Sequence, residues 1–339
     1  MNDPGKKSFS RSAFYLTLLL VAALMAFYFG RIYLGKNKTL GAERTWMMLD
    51  TVCRVSLQFE KGFNPEPALT AVLTELSEWE KTADNYDSTS EIFLLNRSEK
   101  PLVVSTRLAN AIKLGIEGRD SSNGIFDIRS GELSELWDFN GGGRIPSQTE
   151  IDSALVWMRY EIAIRGNTVF KKSVHPQIDL GGIAKGIALD ALYEILDTIP
   201  QIQRFLIDLG GNVRGKNFDK KPFLVGIQHP RKPNEVVGSF ELPSGLSCAT
   251  SGDYQRYFEK EGKRYHHILD LSTGYPANLC AAVTVIAPDG YRSDLFSTII
   301  FILGPDKGLD FLESHPELKA VYFDKKGARG KGNLKLRGK

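Results

Sequence analysis

The apolar positions follow three patterns along the chain. Residues 12–30 are an uncharged, mostly apolar run of nineteen. As a helix rising about 1.5 Å per residue, such a run reaches roughly 28 Å, close to the roughly 30 Å hydrocarbon thickness of a bilayer. Residues 47–59 alternate apolar and polar side chains through VCRVSLQF, the period of a strand with one buried face. Leu69, Val72, Leu73, Leu76 and Trp79 recur at helical spacing, which predicts a helix over residues 65–81, and another follows over residues 106–120. Residues 147–157 begin with Ser147 and carry Glu150 three positions on, a capping-box pattern that predicts a further helix. After it, strands over 168–171, 205–208, 223–228 and 282–287 are interleaved with helices over 183–196 and 293–301. Residues 123–144, rich in glycine and aromatics, read as a structured loop. The layout is that of an α/β or α+β protein whose sheet is covered by helices.

Charge sets the boundaries. Lys6, Lys7 and Arg11 precede the apolar run, which favours an inside amino terminus, and neither a small-x-small cleavage site nor a lipobox cysteine follows it. The expectation is an uncleaved membrane anchor over residues 1–34, a linker over 35–45, and a body over 46–324 long enough for two lobes around a cleft. The last fifteen residues, 325–339, hold seven Lys or Arg and no acid. The 339-residue chain carries a net charge of +3, so removing those seven leaves −4 on the rest. Such a basic end is expected to be solvated and disordered. The body has no basic stripe interleaved with aromatics, which argues against nucleic acid as a partner. Cys53, Cys248 and Cys280 lie far apart; that argues against a zinc cluster or a disulfide framework and predicts small buried side chains.

Candidate chemistry lies in three segments. Ile178-Asp179-Leu180-Gly181-Gly182 recurs as Ile207-Asp208-Leu209-Gly210-Gly211. An Asp and two glycines closing an apolar run suit a tight turn capped by the Asp, and equally suit a ligand approaching the backbone. A helix follows the first copy at once, so its first amides and the Lys185 ammonium would favour a phosphate. No GxGxxG pattern occurs, which excludes a Rossmann fingerprint. Asp294 and Thr298 stand four apart at the start of an apolar helix, stacking a carboxylate and a hydroxyl on one face. Both are hard oxygen donors of the kind Mg²⁺ accepts, although an Asp in a first turn also answers the helix dipole without a metal. Within residues 248–276, His266 and His267 sit together beside Asp270 and a Ser272-Thr273-Gly274 turn. An imidazole titrating near neutrality suits proton abstraction from a hydroxyl. His175, His229 and His315 each precede a proline in a loop and are expected only to bond solvent or a carbonyl.

In order and spacing, residues 84–96 (DNYDSTSEIFLLN), 124–140, 178–190 (IDLGGIAKGIALD), 205–217 (FLIDLGGNVRGKN), 249–276 and 284–309 resemble the FAD:protein FMN transferase (ApbE-type flavin transferase) family. The resemblance covers nearly all of residues 46–323. It implies a T-fold-like α/β body that moves FMN from FAD onto a Thr or Ser hydroxyl of a partner redox protein and releases AMP. By the same resemblance, Asp294, Thr298 and the Gly182 carbonyl hold Mg²⁺ against the FAD pyrophosphate. The flavin then lies near Tyr86, Ile125, Phe126, Asp127, Asp179, Lys185 and Ile268. His267 takes the proton of the acceptor hydroxyl, with Lys185 assisting. Joined to the apolar run, this implies a single-pass protein of the inner (cytoplasmic) membrane with its catalytic body on the periplasmic side. Mg²⁺-dependent FAD hydrolysis to FMN and AMP, or flavin binding without chemistry, are alternatives the same fold would serve. Three stretches depart from the family pattern: Leu49-Asp50-Thr51 in place of Met-Gly-Thr, Arg129-Ser130 in place of a Pro/Val-Thr-Val type, and Met158-Arg159 in place of Val-Gly.

Overall fold

In the computed structural model, which describes residues 40–337, the strand expected over residues 47–59 is two strands, Leu40–Met48 and Thr51–Phe59. Leu49 and Asp50 join them, both left-handed with φ of 52° and 56°. Two left-handed residues in a row match the right-handed twist of the flanking strands, and Asp tolerates that region better than most side chains. Asp50 therefore stands at a turn where glycine would be at ease, and it is exposed. Residues 40–45, expected as linker, are strand; the expected anchor and the rest of the linker lie outside the described residues. Among the described residues no helix is long and apolar enough to cross a membrane.

Eight strands form the central sheet, in the order Leu40–Met48, Thr51–Phe59, Ile202–Leu209, Asn212–Asn217, Ser247–Gly252, Ala282–Ala287, Lys319–Phe323 and Arg329–Gly332. From Thr51–Phe59 onward every pairing is antiparallel, so of the two layouts left open the molecule is α+β. The period of two splits the strands between two cores. Phe205, Ile207, Val283 and Val285 point into the larger core with the helices Glu66–Ala83, Thr106–Ser121, Ala184–Asp197 and Gly290–Glu313. Leu206, Ala282 and Ile286 point the other way, onto the hairpin Phe223–His229 and Lys232–Leu242. A small third core joins Leu133 and Trp137 to Ile151, Ala154 and Leu269.

The helices fall where the apolar stripes put them, and Ser147 and Glu150 make both halves of the capping box. Residues 123–144 contain a helix, Gly131–Trp137. The helix expected over 293–301 starts earlier, where the Asp289 side chain accepts from the Arg292 N–H, and it is broken at Gly304, ahead of Pro305. All three cysteines are free and buried. Instead of two lobes, the chain from Gly41 on forms one compact unit.

The basic tail is likewise part of the fold. Arg329–Gly332 pairs with Lys319–Phe323, Leu334 is buried, and Arg337 bridges to Ser239. The physical reason is that Leu334 and Leu336 give the cationic segment two apolar anchors on the second core.

Candidate active site

The site begins where two helices cross with their main chains in contact. A Cβ on Gly186 would stand 2.3 Å from the Gly290 carbonyl oxygen, and one on Gly290 would stand 2.4 Å from that of Gly186. Only glycine at both positions permits this approach. It lets the Gly186 N–H donate to Asp294 Oδ2 at 2.8 Å. One turn along, the Asp190 carboxylate accepts from the N–H groups of Gly290 and Tyr291 at 2.6 and 2.9 Å and pairs with Arg214. The start of the helix carrying Asp294 and Thr298 is thus tied to the helix carrying Lys185.

The repeated pentapeptide plays two roles. In the first copy Asp179 accepts from the Gly181 N–H and from Ser134 Oγ, each at 2.8 Å, and the chain turns into the helix Ala184–Asp197. Gly182 sits so close to Phe126 that a Cβ would be 2.8 Å from its ring. The second copy is a hairpin turn: Gly210 and Gly211 have φ of 64° and 97°, and Asp208 accepts from the Gly211 N–H.

The first turn, the two helices and the strand Ser247–Gly252 border a cavity that opens to solvent. It brings together Ile125, Phe126, Asp127, Asp179, Gly182, Lys185, His267, Ile268, Asp294 and Thr298. Tyr86 is the exception among the candidates. It is 60% exposed and does not line the cavity. Its phenol is pushed up, first by desolvation and then by the Asp179 carboxylate, which marks it as a neighbour of that end of the site.

Asp294 is 5% exposed, and among the described residues no cation pairs with it. Burial pushes its carboxyl up, against the pull of Lys185, the Asn212 amide and the Gly186 N–H. Asn212 itself is 2% exposed, and its Nδ2 makes no hydrogen bond of good geometry although it lies near that carboxylate. Thr298 Oγ1 lies 3.4 Å from the Asp294 carbonyl and 3.5 Å from Ser251 Oγ. A buried carboxylate without a counter-ion costs several kcal/mol, so this position favours a bound cation. Among the described residues no group of three or more His, Cys, Asp or Glu could hold a metal. A hard cation with few protein ligands fits that constraint: the Asp294 carboxylate, the Thr298 hydroxyl and a main-chain carbonyl such as that of Gly182 could hold Mg²⁺, with water or phosphate oxygens completing it.

The two adjacent histidines separate cleanly. His266 Nδ1 accepts from the Ile268 N–H at 3.3 Å, so Nε2 carries the proton and donates to the Ala277 carbonyl at 2.5 Å. That ring is structural. His267 lines the cavity, with its Nδ1 3.3 Å from the Arg256 carbonyl. A carbonyl only accepts, so Nδ1 holds the proton and Nε2 is left with its lone pair. Desolvation, and then the charges of Arg256, His266 and Lys185, hold His267 well below the usual imidazole range. It is a neutral base at neutral pH.

Two residues depart from their expected surroundings. Asp127 is locked to Arg129, its oxygens accepting from Nε and Nη2 at 2.7–3.1 Å. His175 pairs with the buried Glu132 at 2.7 Å and stacks on Trp157, rather than meeting solvent or a carbonyl. The sequence patterns do not single out Arg256, Asn212 or Ser251, all of which line the cavity. Asn212 follows the second glycine pair directly, the one local signal available; Arg256 carries none.

The sequence model of the ApbE family matches residues 49–322. A FAD:protein FMN transferase of Vibrio cholerae is 31% identical over 260 residues, covering 74% of this chain and 78% of that one. Its counterpart from Escherichia coli K12 is 31% identical over 271 residues, covering 74% and 75%. Among solved structures, the ApbE protein of Thermotoga maritima matches with a TM-score of 0.78 at 31% identity, over 87% of this chain and 97% of that one. The apo flavinyl transferase ApbE of Pseudomonas stutzeri matches with a TM-score of 0.75 at 27% identity, over 87% and 95%.

Proposed function

The chain belongs to the ApbE family of enzymes, and from that premise we propose that it transfers FMN from FAD to a Ser or Thr hydroxyl of a partner redox protein in a Mg²⁺-dependent reaction. One observation carries this reading: a neutral imidazole with a free Nε2 shares a cavity with a buried carboxylate that lacks a cation. The acceptor oxygen forms a bond to the FMN-side phosphorus of FAD. The bond from that phosphorus to the bridging oxygen breaks, and AMP leaves with that oxygen. The hydroxyl proton passes to His267 Nε2. Asp294, Thr298 and the Gly182 carbonyl would hold Mg²⁺, which when bound would neutralise charge on the phosphate oxygens. Lys185, close enough to act on both Asp294 and His267, adds a positive charge to the cavity they share. Ile125, Phe126 and Ile268 offer the flavin an apolar wall, with Asp179 and the exposed Tyr86 at its edge.

Incubation of the protein with FAD, Mg²⁺ and a candidate acceptor, followed by intact-mass and peptide mass spectrometry, tests the reading. An FMN-sized adduct on a Ser or Thr, with AMP released, is expected. AMP without adduct would replace transfer by hydrolysis, and unchanged FAD would remove both. The apolar run over residues 12–30 supports a tether that holds the body outside the inner membrane. Protease added to intact spheroplasts should then digest the body; protection until lysis would overturn that placement.

A further inference from the structure

We infer that the Arg256 guanidinium grips the phosphoryl group undergoing transfer, from the His267 side of the cavity; this rests on the transfer reading above. Arg256 lines the cavity, and its Nη2 lies 3.7 Å from where a Cβ of Gly181 would stand, beside the turn that ends in Gly182. Its carbonyl accepts from both the main-chain N–H and Nδ1–H of His267, at 3.2 and 3.3 Å, so the two residues keep a fixed relation.

Among the described residues the guanidinium makes no hydrogen bond and no ion pair. Other partly buried arginines behave differently: Arg129, Arg214 and Arg231 each hold a carboxylate at 2.5–2.7 Å. Asp179, on the same turn, accepts from the Gly181 N–H and Ser134 Oγ, and forms no ion pair with Arg256. A planar fork of five donors left open toward a cavity matches a phosphate, whose oxygens it can take two at a time.

Lys185 and Arg256 both line the cavity. Lys185 acts on Asp294, at the end proposed for the metal, and on His267. Arg256 acts on His267, where the acceptor hydroxyl must give up its proton, and on Tyr86 beside Asp179. A group beside the base is beside the phosphorus that the hydroxyl attacks. Charge accumulates on the non-bridging oxygens there as the new P–O bond forms and the bond to AMP breaks. A contact that strengthens in the transition state raises the rate more than the affinity.

The test compares the wild-type chain with Arg256→Ala and Arg256→Lys, each checked for an unchanged thermal midpoint. FAD affinity is read from flavin fluorescence, and single-turnover transfer is followed across pH with FAD, Mg²⁺ and acceptor. We expect FAD affinity to change by less than about threefold while the rate on the alkaline plateau falls about 100-fold or more for Ala and at least about tenfold for Lys. Added guanidinium ion should restore part of the Ala rate. The titratable and charged groups acting on His267 are Arg256, His266 and Lys185. If Arg256 served only to hold His267 neutral, its loss would move the acid limb to higher pH and leave the plateau untouched; that result would overturn the inference. So would a loss confined to FAD affinity. No product from the wild-type chain removes the transfer reading and this inference with it, whereas wild-type turnover matched by both variants removes this inference alone.

Discussion

Asp294 is a carboxylate that the fold keeps from water and leaves without a cation, which is a cost to the metal-free protein. Asp294→Asn keeps the shape and removes the charge. Such neutralisation of an unpaired buried ion is expected to stabilise the metal-free fold, by about 1–3 kcal/mol, while Mg²⁺-dependent turnover disappears. Thermal unfolding with Mg²⁺ and with EDTA checks it: Mg²⁺ should raise the midpoint of the wild type and not of the variant. Equal shifts in both would remove the metal assignment. His267 invites a second test. Its neutral form is the base, and its surroundings disfavour the proton. The transfer rate should therefore stay on its plateau through neutral pH and fall only below the ordinary imidazole value of about 6.5. His267→Gln should lower the rate by about 10²–10⁴-fold with FAD affinity retained. An acid limb near neutrality, or a variant as fast as the wild type, would exclude His267 as the base.

Between elements, the decisive contact is the crossing of Ala184–Asp197 and Gly290–Glu313 at Gly186 and Gly290. Gly290→Ala would drive a Cβ to within 2.4 Å of a carbonyl oxygen. The helices must part, at a cost of about 1–3 kcal/mol, and Asp294 would lose its bond from the Gly186 N–H. A lowered thermal midpoint together with a weakened Mg²⁺ response is expected; a variant unchanged in both would mean that the crossing does not position the site. This contact also marks the limit of what the sequence makes legible. Asp294 and Thr298 show in the sequence because four residues make one helical turn, and Ser147 and Glu150 because a capping box is local. Which helix faces Asp294 is a long-range fact with no local pattern, and the same holds for Arg256 and Asn212. Local patterns also mislead where two conformations share one sequence. The pentapeptide is a helix-leading turn at Gly181 and a hairpin turn at Gly210. The alternation over residues 47–59 runs through a turn that carries no glycine to mark it.

Across the whole molecule the sheet separates chemistry from closure. Of the site's apolar residues, Phe126 and Ile268 belong to the larger core and Leu269 to the small third one, whereas the C-terminal segment seals the smaller core on the opposite face. Its charge suggests a solvated end; its two leucines and a strand pairing make it structural. Ending the chain after Asp324 would remove the strand Arg329–Gly332 and expose the surface that Leu334 covers, a loss of about 1.5–3 kcal/mol for that side chain alone. It would also leave Lys319–Phe323, with its buried Ala320, Val321, Tyr322 and Phe323, as the edge of the sheet. Unpaired edges of that composition associate with one another. The truncated protein should therefore melt at a lower temperature and self-associate on size exclusion, while its folded fraction binds FAD as the full chain does, because the cavity borders the other core. A truncated protein that melts at the full-length temperature would return the tail to the role its charge implies. Loss of FAD binding by the folded fraction would show instead that the two faces are coupled through the sheet.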